Sequence, residues 1–216
     1  MSVTAAQGFR AAGVRAGLKA SGKPDLALVI NDGPLDTAAG VFTTNRVVAA
    51  PVVWSRRLLA GQDGGQPGHA RAVVLNSGSA NACTGAQGLE DTEATAAHAA
   101  GLLGAEPGQV LVCSTGVIGQ RIDMPVLLEG VDVAALALAD TAQAGTDAAT
   151  AIMTTDTVSK EDALTVGASH QSWTIGGMIK GVGMLAPGMA TMLAVITTDA
   201  VLTPQQAQDA LTSATM

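Results

Sequence analysis

Aromatic residues are nearly missing from this chain, with two Trp, two Phe and no Tyr in 216 residues. That excludes a stacking platform for single-stranded nucleic acid, which needs a series of aromatic faces. It also leaves the core to Ala, Val, Leu, Ile and Met. Charge is scarce as well, at 13% of residues, and it leans acidic: 11 basic against 18 acidic side chains give a formal net charge of −7. With no long basic run, neither nucleic acid nor an anionic membrane is expected as a partner. The two cysteines, Cys83 and Cys113, sit in small or apolar surroundings without metal-ligand spacing. They are expected to be reduced core residues, and no metal site is expected. No apolar run reaches the roughly 20 residues of a membrane-crossing helix. The amino terminus has no basic stretch followed by an apolar one, so no secretory signal is expected and the cytoplasm is the default location.

What the chain does have is apolar bulk and glycine. Hydrophobic residues make up 48%, enough for a sizeable core, and 26 Gly imply many turns and close backbone approaches. The length suits one large domain or two small ones. Residues 8–24 read as an irregular, basic lead-in. Strands are predicted over 25–31, 39–44, 50–54, 71–76 and 110–114, the third at an edge because of Pro51. Residues 77–85 form a loop dense in small polar residues, as a backbone-lined pocket would be. Helices are predicted over 89–103, with acids in its first turns, and from about Pro125 to before Gly130. A largely helical 132–153 follows, with a break at Gly145. A short strand is predicted at 172–175. Thr203-Pro204-Gln205-Gln206 is a capping-box start for a helix to about Ala214. Strands and helices mix without strict alternation, which favours an α/β fold of the layered α+β kind, with mixed sheets packed against helices, over a doubly wound sheet.

The stretch from Gly176 to Asp199 concentrates the chemistry. Its front half is too rich in Gly and Pro for a helix interior. Its back half, 192–196, suits a buried strand. Thr191 stands at the seam, where a hydroxyl is a candidate nucleophile. Two nucleotide-binding readings fail on context. Lys180 is followed by Gly181, so a phosphate-binding Walker loop lacks its hydroxyl. Gly181, Gly183 and Ala186 run into Pro187-Gly188, so no helix N-terminus follows to hold a pyrophosphate. A glycine-rich loop without chemistry stands level with the nucleophile on pattern alone. His69, His98 and His170 have no partner at ligand or triad spacing. Asp156 and Asp199 are candidate bases and equally turn residues. A threonine without a side-chain base can use its own α-amino group, whose unperturbed pKa of about 7.7–8.0 lies close to working pH. For Thr191 that requires cleavage of the Ala190–Thr191 bond.

At this point a family resemblance appears. AGLKASGKPDLAL at 16–28, AAGVFTTNRVVAAPV at 38–52, NSGSANACTG at 76–85, CSTGVIG at 113–119, AIMTTDT at 151–157 and GGMIKGVGMLAPGMATML at 176–193 occur in the order found in the ornithine acetyltransferase family. The chain resembles the N-terminal part of those self-cleaving N-terminal-nucleophile-type enzymes of arginine biosynthesis. The resemblance implies an α-chain-like domain over 1–190, cleavage between Ala190 and Thr191, and the start of a β chain over 191–216. It implies that Thr191 takes an acetyl group from N-acetylornithine and passes it to glutamate. It assigns Thr115 and Gly116 to the oxyanion hole and Thr154, Lys180 and Thr191 to substrate binding. Further implications are a β chain from the same precursor, an α2β2 heterotetramer, and no cofactor. Whether acetyl-CoA also serves as donor is left open. In the family the β chain continues well past this length and supplies an acidic substrate contact, so a polypeptide of 216 residues is expected to be incomplete and inactive alone. Ser79 departs from the Asn common in relatives. Two other readings stay in view, an N-terminal-nucleophile aminopeptidase or amidase and a non-catalytic binding fragment. Passage of the acyl group to water instead of glutamate marks the first, and binding without turnover the second.

Overall fold

Leu26–Asn31 (β2) is apolar on both faces because both faces are covered. Leu26, Leu28 and Ile30 join one core cluster and Ala27 and Val29 a second. A continuous apolar run is what such a strand requires. The computed structural model describes residues 2–167, 172–182 and 192–215. In it β2 lies between Phe9–Val14 (β1) and Ala72–Ser79 (β3), antiparallel to both, and Val110–Val117 (β4) completes the sheet parallel to β3. One face is covered by Ala50–Leu59 (α1), Gly85–Leu103 (α2) and Met124–Leu136 (α3). The other face carries Ala142–Ala151 (α4) and a second, antiparallel sheet of Lys160–Val166 (β5), Trp173–Lys180 (β6) and Leu193–Thr198 (β7). This is the layered α/β arrangement expected, with Pro204–Ala214 (α5) at its edge.

Several elements differ from expectation. The lead-in contains β1, whose Ala11 and Ala12 are buried on opposite faces beneath helices. Small side chains here reflect tight packing and not irregularity. Residues 39–44 form no strand, because the backbone of Gly40 bonds to the Gln208 side chain of α5 (3.2 and 3.3 Å) and has no neighbouring strand. Residues 50–54 open α1. Pro51 is pre-set for a helix N-terminus, and the buried set Pro51, Trp54, Ser55 and Leu58 follows the helical i, i+3, i+4, i+7 period. Helix α2 starts earlier than expected, at Gly85, and has no acid in its first turn. Helix α3 continues through Gly130, where an added Cβ would lie 2.4 Å from that of Ala16; the missing side chain lets the helix sit close. The break between α3 and α4 falls at 137–141 and not at Gly145. There Ala139 bridges to Ala11, and the Thr141 hydroxyl caps α4 by accepting from Ala144 N (3.2 Å). Strand β3 runs on through residues 77–79, where a loop is expected from the small polar residues. Strand β6 absorbs Gly176 and Gly177 from the glycine-rich run, and β5 has no counterpart in the sequence reading. Strand β7 is half-exposed, with Ile196 58% accessible, where a buried strand was expected. Cys83 is exposed and not in the core; Cys113 is half-buried, its thiol pushed up to about 12 by burial. Helix α5 forms as read, with both bonds of the capping box.

Candidate active site

The two sheets adjoin near the C-terminal ends of β4 and β6, and there the distant candidates converge. Thr115 is on β4, in register with Ser77 of β3, and its side chain is buried. Lys180 closes β6, paired with Leu193 of β7, and is also buried. The Lys180 ammonium donates to Thr115 Oγ1 at 3.3 Å, joining residues 65 apart in sequence. Gly116 follows at the exposed rim with φ +134°. A Cβ there would lie 2.4–2.5 Å from the carbonyl of Gly78, its register partner. Only glycine lets β3 and β4 stay paired past Thr115.

Thr154 lies in the turn between α4 and β5, exposed, its backbone N–H held by Asp156 Oδ2 (3.3 Å). Asp156 is more than the turn residue or base expected: its side chain is fully buried. Its Oδ1 accepts from Lys160 Nζ (2.6 Å) and from Gly181 N (2.8 Å), and Lys160 also donates to Gly181 O (2.9 Å). Burial pushes the Asp156 carboxyl up, but the bonds from Lys160, Gly181 and Thr154 outweigh it and hold the group well below the usual carboxylate range. Burial lowers the Lys180 pKa, against an opposing pull from Asp156, while Lys160 adds to the lowering. Lys19 stands nearby, donating to the carbonyls of Met153 (2.6 Å) and Pro24 (2.8 Å). Its pKa is lowered first by burial, which Asp25 opposes, with weaker effects from Lys180 and Asp156. Lys19, Lys160 and Lys180 thus gather against two carboxylates, Asp25 and Asp156, a net positive cluster in a chain of net charge −7. Such a site favours an anion.

Ala190 and Thr191 lie outside the described residues, as does His170. Met192, which follows Thr191 in the sequence, is described, and its side chain is 3.5 Å from where a Cβ on Gly181 would stand. Asp199, the other acid considered as a base, is at the far end of β7, where it accepts from Thr174 N (2.6 Å) and Gln7 N (3.0 Å). His69 and His98 do have partners, each a carboxylate oxygen at 2.7 Å: Asp36 for the first, Asp132 on α3 for the second. Ser79 makes its own contacts, donating to Gln120 O (3.0 Å) and accepting from Asn81 N (3.2 Å). Lys160 and Lys19 carry no signal of their own in the sequence, and Asp156 is visible there only as a candidate base or turn residue. The i, i+4 spacing of Asp156 and Lys160 was visible, but their bonds to Gly181 come from 21 to 25 residues away. Among the described residues no group of His, Cys, Asp and Glu could hold a metal ion, and no helix is long and apolar enough to cross a membrane.

Comparison with known proteins agrees with this architecture. The ArgJ family model matches residues 10–216. The arginine biosynthesis bifunctional protein ArgJ of Bifidobacterium longum is 58% identical over 212 residues, 98% of this chain and 52% of that protein. The chain spans about half the length of the curated relatives it matches. Among solved structures, ornithine acetyltransferase from Mycobacterium tuberculosis, complexed with ornithine, shares 50% identity at a TM-score of 0.79, covering 89% of this chain and 96% of that one. An L-aminopeptidase D-Ala-esterase/amidase of Ochrobactrum anthropi, a variant of the Ntn hydrolase fold, shares the fold alone, at 14% identity and a TM-score of 0.58 over 99% of this chain and 67% of that one. The match runs over nearly the whole sequence, and the chain belongs to the ArgJ family.

Proposed function

We propose that this chain is the N-terminal portion of a cytoplasmic glutamate N-acetyltransferase of arginine biosynthesis, cleaved between Ala190 and Thr191. The observation that carries the reading is the meeting of Thr115 and Lys180 at the junction of the two sheets, beside Met192, the residue after Thr191. In the first step the Thr191 hydroxyl attacks the Ala190 carbonyl. The resulting ester is hydrolysed by water, which leaves Ala190 as a carboxylate and Thr191 with a free α-amine. That amine then serves as base. Thr191 Oγ attacks the acetyl carbonyl of N-acetylornithine, and the base's proton passes to the departing ornithine amine. The α-amine of glutamate attacks acetyl-Thr191, giving N-acetylglutamate and restoring the hydroxyl. No metal or cofactor enters these steps. Acetyl-CoA is an alternative acyl source for the same Thr191.

The developing oxyanion is met by the Thr115 hydroxyl and the Gly116 N–H. A hydroxyl that accepts from an ammonium is polarised into a better donor, so Lys180 strengthens Thr115 in this role. Lys180 and Thr154 bind the polar ends of the amino-acid substrate. The cleavage point lies between β6 and β7, which are paired from Ile175↔Thr198 to Lys180↔Leu193. The α chain, 1–190, and the β chain beginning at 191 therefore stay together through that ladder after the bond is cut, in an α2β2 assembly. The test is acyl trapping in the full-length protein: incubation with labelled N-acetylornithine, rapid quench and peptide mapping. The label should appear on Thr191 and move to added glutamate. Label on another residue, or release mainly to water, would refute the transferase reading.

A further inference from the structure

The turn between α4 and β5 and the end of β6 are held together by one buried carboxylate and one lysine, neither of which takes part in the chemistry above. We propose that Asp156 and Lys160 form a positioning clasp that fixes Thr154 against Lys180, so that both reach the same amino-acid substrate. The inference rests on the substrate-binding roles given to those two residues. Asp156 touches the turn through Thr154 N and the strand end through Gly181 N, and Lys160 closes the loop by bonding both Asp156 and Gly181 O. The residues held are therefore Thr154 itself and the immediate neighbour of Lys180. Residues 153–159 form no helix or strand, so the local backbone has few other means of keeping Thr154 in place.

A purely stabilising ion pair is the weaker explanation. Burying a carboxylate costs desolvation that its partner barely repays, so buried pairs contribute little net stability. What such a pair does supply is a defined geometry, and Asp156 joins the two segments that carry the substrate-binding candidates, through Thr154 N and Gly181 N, with Lys160 at the start of β5 bonded to both Asp156 and Gly181. Asp156 also favours the charged form of Lys180, as a carboxylate ligand would need.

The experiment uses Asp156→Asn in the full-length protein, with Asp91→Asn as reference. Asp91 is also buried and ion-paired, but with Arg121 at the helical face. Three quantities are read: exchange of the Thr154 and Gly181 amides, ornithine affinity by calorimetry, and KM against kcat. Asp156→Asn should raise exchange at both amides, weaken ornithine by about tenfold, the loss of one charge-assisted hydrogen bond, and raise KM more than it lowers kcat. Asp91→Asn should change none of these. If Asp156→Asn fails to fold, Lys160→Met replaces it, with the same direction and a smaller size. Unchanged amides with unchanged affinity, or a fall in stability alone as for Asp91→Asn, would overturn the clasp. If the wild type binds ornithine but transfers no acetyl group, the proposed reaction falls, while amide exchange and affinity still decide the clasp.

Discussion

Replacing Gly116 by Ala puts a methyl group where two strands touch. The Cβ would stand 2.4 Å from the carbonyl carbon of Gly78, 2.5 Å from its oxygen and 2.7 Å from Ser79 N, all backbone atoms that cannot rotate away. Relief requires β3 and β4 to separate at their last pairs, Gly78↔Gly116 and Ser79↔Val117. Overpacking of this kind costs about 1–3 kcal/mol. The backbone at φ +134° adds about 1–3 kcal/mol for a residue with a side chain. Gly119→Ala isolates the second contribution, because its φ is +84° and nothing lies within 4 Å of its Cβ. Urea unfolding of the full-length protein should therefore place Gly116→Ala about 1–3 kcal/mol below Gly119→Ala. Shifting the adjacent Thr115 should also lower turnover by about a hundredfold, the order expected for a displacement near 1 Å at a reacting centre. Equal stability of the two variants, or a Gly116→Ala enzyme of normal activity, would refute the close-contact account of β3 and β4.

The titrating groups give two further expectations. The Asp156 carboxyl is held below its unfolded value of about 3.9, so its stabilisation is present above that pH and lost as pH falls through the lower folded value. Asp156→Asn should thus flatten the acid limb of stability below about pH 4; an unchanged limb would show that the clasp does not hold the ionised form. Cys113, with its thiol pushed up to about 12, should resist iodoacetamide at pH 8 in the native state and react in urea, as peptide mapping would show. Rapid native labelling at Cys113 would contradict its burial.

The parts of the fold written locally were legible. Helix α5 announces itself in four residues because a capping box is a local device, and the cores of β2, β3 and β4 are short apolar runs. The misreadings share a cause in tertiary context. Strand β1 looks irregular because its small side chains answer to helices packed on both faces. In α1, Pro51 suits a strand start or a helix start equally, and only the i, i+3, i+4, i+7 burial separates them. Family resemblance named Thr115, Gly116, Thr154 and Lys180, but the contact of Lys180 with Thr115 spans 65 residues and has no sequence pattern. The bridging role of Asp156 stayed hidden for the same reason. In a TTDT stretch it reads as a base or a turn residue, and its bond to an amide 25 positions away leaves no mark in the sequence.

The central claim is that Thr191 becomes a chain terminus and carries the acyl group. Intact mass spectrometry of the full-length protein and its Thr191→Ala variant, before and after incubation with N-acetylornithine, tests it most directly. The account predicts two polypeptides divided at Ala190–Thr191 for the wild type, with one acetyl group gained by the piece that begins at Thr191. It predicts a single uncut, unacetylated chain for Thr191→Ala. A variant that still splits and still gains acetyl would contradict it.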